Sequence, residues 1–270
     1  MGRRCKCKGI SRALLLLCAT VAGAQTRLAV TVVDKFGAPI PDLKAEDFTV
    51  QDNRGPRAVL SAAWKEQPVD VVLLVDTSAY AGQGRREIER ATLMFIQQLG
   101  EKEQMAVVSF ATSADLMQDL TGSRQLLGRS LAGFRYGNDS LPLDGAWAAL
   151  DSAFEHAVAR RILVIVATGA EGAGKVKRSE VIDLAIRRNV SIFAVSVSGG
   201  TDSLDDLARE TAGAYIGGRE VRQIDTVAKN LFAAMRGRYE LSVEGEGFAG
   251  KLRVEARAKE KVQVTHRALR

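Results

Sequence analysis

Cysteine and histidine are almost missing from this chain. Its 270 residues include three cysteines, Cys5, Cys7 and Cys18, and two histidines, His156 and His266. All three thiols fall within the first 24 positions. The rest of the chain therefore has no disulfide and no cysteine-ligated metal, and its core must hold without staples. Two isolated histidines argue against a Ser-His-Asp triad and against a histidine-ligated zinc. Dinucleotide glycine spacing and a P-loop lysine motif are both missing, so Gly169–Gly174 and Gly199-Gly200-Thr201-Asp202 read as turns. There is no long Pro- or Ser-rich linker and no internal repeat. The apolar run Ala13–Ala22 is well short of the roughly 20 residues that a membrane-spanning helix needs.

What is present at the start is a targeting pattern. Arg3, Arg4, Lys6, Lys8 and Arg12 form a basic head without an acid, the apolar run follows, and Ala22-Gly23-Ala24 ends it as a small-x-small cleavage signal. This layout is that of a secretory signal peptide over residues 1–24, cut after Ala24, and it predicts a secreted or periplasmic protein. Cys18 follows the apolar stretch as a lipid attachment site would, and the bulky Leu17 before it argues against that use. The net charge of +6 includes the five cations of this segment, and removing them leaves +1. The basicity is thus a targeting feature and gives no reason to expect a nucleic-acid partner.

Residues 25–66 read as a strand-rich flank. Leu28–Val33 has β-type composition, a single helical turn fits Asp42–Asp47, and turns fall at Lys35–Pro39 and Asp52–Pro56 before a strand over Ala58–Trp64. From Val69 the pattern changes. Val69–Val75 is an almost continuous apolar run, as in a parallel strand buried on both faces. Further strands are expected over Met105–Phe110, Ile162–Ala167 and Val190–Val197, with a short edge strand over Leu116–Leu120. Helical spacing covers Arg85–Leu99, with Ile88, Leu93, Phe95, Ile96 and Leu99 as its stripe, and Leu143–Val158, with Trp147, Leu150 and Phe154 inward. Helices are also expected over Ser123–Leu131, Val176–Arg188, Leu204–Thr211 and Val221–Met235. This alternation predicts an α/β fold with a doubly wound, mostly parallel, Rossmann-like sheet over residues 67–237. Residues 238–270 return to strand alternation and are expected to pair with the N-terminal flank as a small β domain. Residues 251–270 carry seven Lys and Arg against two Glu, which reads as a solvated strand face.

Ligands of open parallel sheets sit at the carboxyl ends of the strands. Three polar loops are expected there: Asp76-Thr77-Ser78-Ala79-Tyr80, Gly137-Asn138-Asp139-Ser140, and Ala167-Thr168-Gly169-Ala170-Glu171. The stretch Val71–Ser78 resembles the opening of a von Willebrand factor type A (VWA) domain. The order of elements from 69 to about 237 and the Ser140-x-x-x-Asp144 spacing are similar to that family as well. The flanks, including Val32–Val50, resemble those of bacterial secreted VWA-related proteins.

The resemblance implies a protein-binding module and no enzyme. It also implies a metal ion-dependent adhesion site with the pattern Asp-x-Ser-x-Ser, a threonine in a second loop and an aspartate in a third. Asp76 and Ser78 match the first two positions and Ser140 stands for the threonine, so these three are the metal candidates, with Mg²⁺ or Mn²⁺ as the ion. The pattern is incomplete. Tyr80 replaces the second serine and Thr168 the third-loop aspartate, while Glu171 and Asp139 lie off the pattern. The alternative is that Asp76 and Ser78 cap the following loop and helix by hydrogen bonding. Tyr80, Asp139 and Thr168 are the residues expected to meet an unknown protein partner, with Tyr136 as a further contact aromatic. The other function in view is a metal-free scaffold in a cell-envelope complex. A hydrolase is disfavoured, because Ser78 stands where phosphate-handling enzymes carry a second carboxylate.

Overall fold

The computed structural model describes residues 24–199 and 202–269. The expected signal peptide, with all three cysteines, lies outside the described residues except for Ala24. In chain order the elements are β1 (Gln25–Val33), β2 (Phe48–Asp52), β3 (Gly55–Arg57), β4 (Val59–Glu66), β5 (Val69–Asp76), α1 (Ala79–Gln83), α2 (Arg85–Gln97), β6 (Gln104–Phe110), β7 (Ala114–Thr121), α3 (Arg124–Ser130), α4 (Pro142–Ser152), β8 (Arg160–Ala167), α5 (Arg178–Arg187), β9 (Ser191–Ser196), α6 (Asp202–Glu210), β10 (Tyr215–Ile216), α7 (Ile224–Arg236), β11 (Gly237–Glu244), β12 (Arg253–Ala256) and β13 (Gln263–Ala268).

The central sheet runs β10-β9-β8-β5-β6-β7, parallel except for the antiparallel edge strand β7. β5 lies inside it, covered on both faces, and this is why Val69–Val75 is apolar at every position but Asp70. Val71, Leu73 and Val75 pack with Ile88 and Phe95 of α2 and Leu231 of α7. Val72 and Leu74 pack on the other face with Ala146, Ala149 and Leu150 of α4 and Val181 of α5. The exception, Asp70, is buried and its Oδ2 accepts the backbone N–H of Val158 and Ala159, each at 2.7 Å.

That contact corrects the helix expected over Leu143–Val158. α4 stops at Ser152 and the chain turns away so that two backbone amides reach Asp70. Phe154 is buried beyond the helix, whereas Trp147, expected inward, is 40% exposed. The sheet-facing stripe of α4 is small. A Cβ on Gly145 would lie 2.9 Å from the Phe110 Cβ, so α4 lies close to the sheet along this stripe, and Trp147, two residues on, falls on the other side of the helix. Leu93, expected on the α2 stripe, is also on its outer side, 38% exposed.

The two flanks interleave. β1 pairs antiparallel with β11 and with β13, and β11 with β4, giving the order β13-β1-β11-β4. A second sheet, β12-β2-β3, packs against it. Its strand β3 contains Pro56, tolerated because this strand is an edge; the sequence reads there only as a turn. Tyr239 is fully buried between the sheets. Its ring stands edge-on to Phe48 and Trp64 at 5.1 and 5.0 Å, and its hydroxyl donates to the Ile40 carbonyl and accepts the Leu43 N–H. The opposite face of β1 and β13 meets the α/β unit. There the Thr31 and Thr265 hydroxyls donate to the Ala212 and Gly213 carbonyls. Both faces of β1 are thus covered, so Leu28–Val33 is buried throughout.

Candidate binding edge of the central sheet

The three polar loops converge at the carboxyl end of the central sheet around one carboxylate. Asp76 ends β5 and is 0% exposed. Its Oδ1 accepts the Ser78 N–H at 2.9 Å. Its Oδ2 accepts the Ser140 hydroxyl at 3.3 Å, the Thr168 N–H at 3.2 Å and the Thr168 hydroxyl at 2.9 Å. Four donors on one buried carboxylate replace its lost hydration. Each is set by local geometry. Ser78 is the N-cap of α1, its hydroxyl accepting the Ala81 N–H. Ser140 follows Asn138, whose φ of 64° is the left-handed conformation that asparagine tolerates and whose carbonyl accepts the Ala79 N–H. Thr168 follows β8, and its hydroxyl also accepts the Ala170 N–H.

A residue unread in the sequence supports the third loop. Ser196, ending β9, is fully buried, and its hydroxyl donates to the Thr168 carbonyl at 3.0 Å. Gly169 beside it has φ +95°, and a Cβ there would fall 2.7 Å from the Ser196 Oγ. The available signal was a serine at the strand's carboxyl end, inside the apolar run Ile192–Val197. Asp144 holds the chain after the third loop by accepting the Lys175 and Val176 N–H groups.

The structure brings Asp76, Ser78, Ser140 and Thr168 together and leaves the other candidates apart. Tyr80 is 52% exposed and lines an open groove of about 540 Å³ with Gln83, Glu87, Gly169 and Ala170. Asp139 and Glu171 are exposed. Thr168, expected to meet a partner, is only 5% exposed at the floor of this groove, with its hydroxyl turned inward to Asp76. Tyr136 is half-buried. Its hydroxyl meets Glu89 at 3.3 Å and the Arg85 guanidinium lies over its ring. Burial, and then the Glu89 carboxylate, push its phenol well up, so it stays neutral.

The chain matches the model of the von Willebrand factor type A domain over residues 70–230, more than half its length. The chain belongs to the VWA family. Solved structures agree in fold. A von Willebrand factor type A protein from Catenulispora acidiphila superposes with a TM-score of 0.55 at 13% identity, covering 92% of this chain and 74% of that one. Proximal thread matrix protein 1 from the mussel byssus gives 0.54 at 14% identity, covering 73% of this chain and 51% of that one. This chain spans about half the length of the mussel protein, which has also been solved with a zinc-occupied adhesion motif. No curated protein is significantly similar in sequence. VWA domains are generally non-enzymatic and often mediate protein–protein interaction. Among the described residues no helix is long and apolar enough to cross a membrane.

A VWA metal site is built from hard oxygens, and the donor set here does not fit one. Asp76 is its only carboxylate, and both oxygens already accept hydrogen bonds. Thr168 sits where the family pattern has the third-loop aspartate and donates a hydrogen bond to Asp76 in place of offering a negative oxygen. Tyr80, at the second serine position, is turned to solvent. Among the described residues no group of three or more His, Cys, Asp or Glu side chains could hold a metal.

Proposed function

We propose that this VWA chain is an exported, non-enzymatic module that binds another protein through the carboxyl edge of its central sheet, without a resident metal. Tyr80, on the 540 Å³ groove, and the exposed Asp139 of the second loop supply the contact. The observation that carries the reading is the closed hydrogen-bond set of Asp76. It holds three loops in one arrangement and so presents a rigid edge, which lowers the ordering cost of binding. Export rests on the basic and apolar residues 1–24. Residues 25–66 and 238–270 form, in this reading, one β unit beside the VWA unit of residues 67–237.

A scaffold role is the second reading. It draws on the open edge of β7, where Leu116 is 57% exposed and a partner strand could add. Photo-crosslinking residues at Tyr80, Asp139 and Leu116, in cells that make the protein natively, separate the two. Adducts at Tyr80 and Asp139 that persist in EDTA support the first reading. Adducts at Leu116 alone would replace it with the scaffold, and adducts abolished by EDTA would remove the metal-free claim.

A further inference from the structure

At the opposite end of the central sheet, where it meets the β13-β1-β11-β4 sheet, three arginines converge. Arg160 opens β8 beside Val69, three residues after the end of β4. Arg267 on β13 and Glu240 on β11 both pair with Ala29 of β1 and so share one face, and Arg238 lies two residues from Glu240 on that face. Arg160 is 8% exposed and Arg267 is 5% exposed. Their acceptors are few. Arg238 donates to Glu240 at 3.1 Å and Arg267 to the Asn189 side-chain oxygen at 2.7 Å.

Seven buried side-chain polar atoms lack a partner among the described residues, and six are guanidinium nitrogens of these three arginines. Arg160 contributes Nε and both Nη, Arg238 its Nε and Nη1, and Arg267 its Nε. The seventh is Asp70 Oδ1, and the charges acting on Arg160 are Arg238, Arg267 and Glu240. Burial and the two other guanidiniums push Arg160 down to about 9. One carboxylate among three cations leaves both charge and donors in excess. A buried cation without a partner costs several kcal/mol, and water satisfies donors without neutralising charge.

We infer that this junction binds a small tetrahedral oxyanion, of the phosphate or sulfate class, on Arg160, Arg238 and Arg267. Such an ion offers several acceptor oxygens, carries the missing charge, and matches the guanidinium fork. The nitrogens are closed to solvent, which favours a free ion trapped as the sheet docks over a carboxylate reaching in from a partner protein. The site is distinct from the proposed binding edge and does not depend on it.

The test is the melting midpoint of the purified protein in potassium phosphate, sulfate and chloride at matched ionic strength. Melting releases the ion, so mass action reports an occluded site as well as an open one. Phosphate and sulfate also stabilise proteins by exclusion from their surface, so the readout is the response of wild type minus that of Arg160→Met. The expected result is a wild-type midpoint that climbs with the logarithm of phosphate concentration more steeply than the variant's. Should Arg160→Met not fold, Arg238→Met takes its place. Equal slopes in wild type and variant, or a wild-type midpoint indifferent to the anion, would mean that water alone fills the junction and would overturn the inference.

Discussion

The two ends of the central sheet are electrostatic opposites. At the carboxyl end one buried carboxylate, Asp76, accepts four hydrogen bonds and wants nothing more. At the amino end three guanidiniums share one carboxylate and leave six buried nitrogens unpartnered among the described residues. The comparison teaches where an ion is needed. The family's metal edge has been closed by neutral donors, and the need for a counter-ion sits instead at the junction with the flanking strands.

The largest effect should come from opening the closed end. Asp76→Ala leaves its donors buried and unmatched and should cost about 3 kcal/mol in a denaturant melt. A loss under about 1 kcal/mol would show that the hydrogen-bond set is not what orders the loops. Next, the double change Thr168→Asp with Tyr80→Ser restores the family pattern. Two adjacent carboxylates should repel in EDTA, and Mg²⁺ or Mn²⁺ at 100 times its Kd should then add about 2.7 kcal/mol. No metal response in that variant would mean that something other than these two positions excludes the ion.

At the other end, Arg160→Met in chloride should leave the protein as stable as wild type or more so, by about 1 kcal/mol, because it deletes a buried charge that has no partner. A clear loss of stability would say that the arginine is satisfied after all. The smallest effect concerns His266 on β13, whose imidazole is held below its ordinary value by burial. A base with a lowered folded value favours folding in its neutral form, so this contribution is complete above about pH 6.5 and is lost as the pH falls from there towards the lowered folded value. The midpoint should drop slightly between pH 7 and 5.5, and less in His266→Gln. An NMR titration of His266 centred at or above 6.5 would contradict the sign.

Much of the α/β core was legible because burial on both faces leaves an unmistakable mark, as in Val69–Val75. The convergence of Asp76, Ser78, Ser140 and Thr168 was legible too, because parallel topology sends strand ends to one edge. What escaped depended on partners distant in sequence. Arg267 reads as one more cation in a basic tail expected to be solvated, and only the pairing of β13 with β1 buries it. Trp147 reads as a core residue because the stripe read in the sequence is rotated from the one α4 buries, Gly145, Ala146, Ala149 and Leu150. The inward turn of the Thr168 hydroxyl was equally hidden, since it depends on a carboxylate 92 residues away.

With Asp76 fully hydrogen-bonded, the VWA edge of this chain is complete without a metal. The most direct test is the thermal midpoint of the wild-type protein in EDTA, Mg²⁺ and Mn²⁺. One midpoint is expected in all three conditions. A rise in either divalent ion that disappears in Asp76→Asn would contradict it and return a metal to this edge.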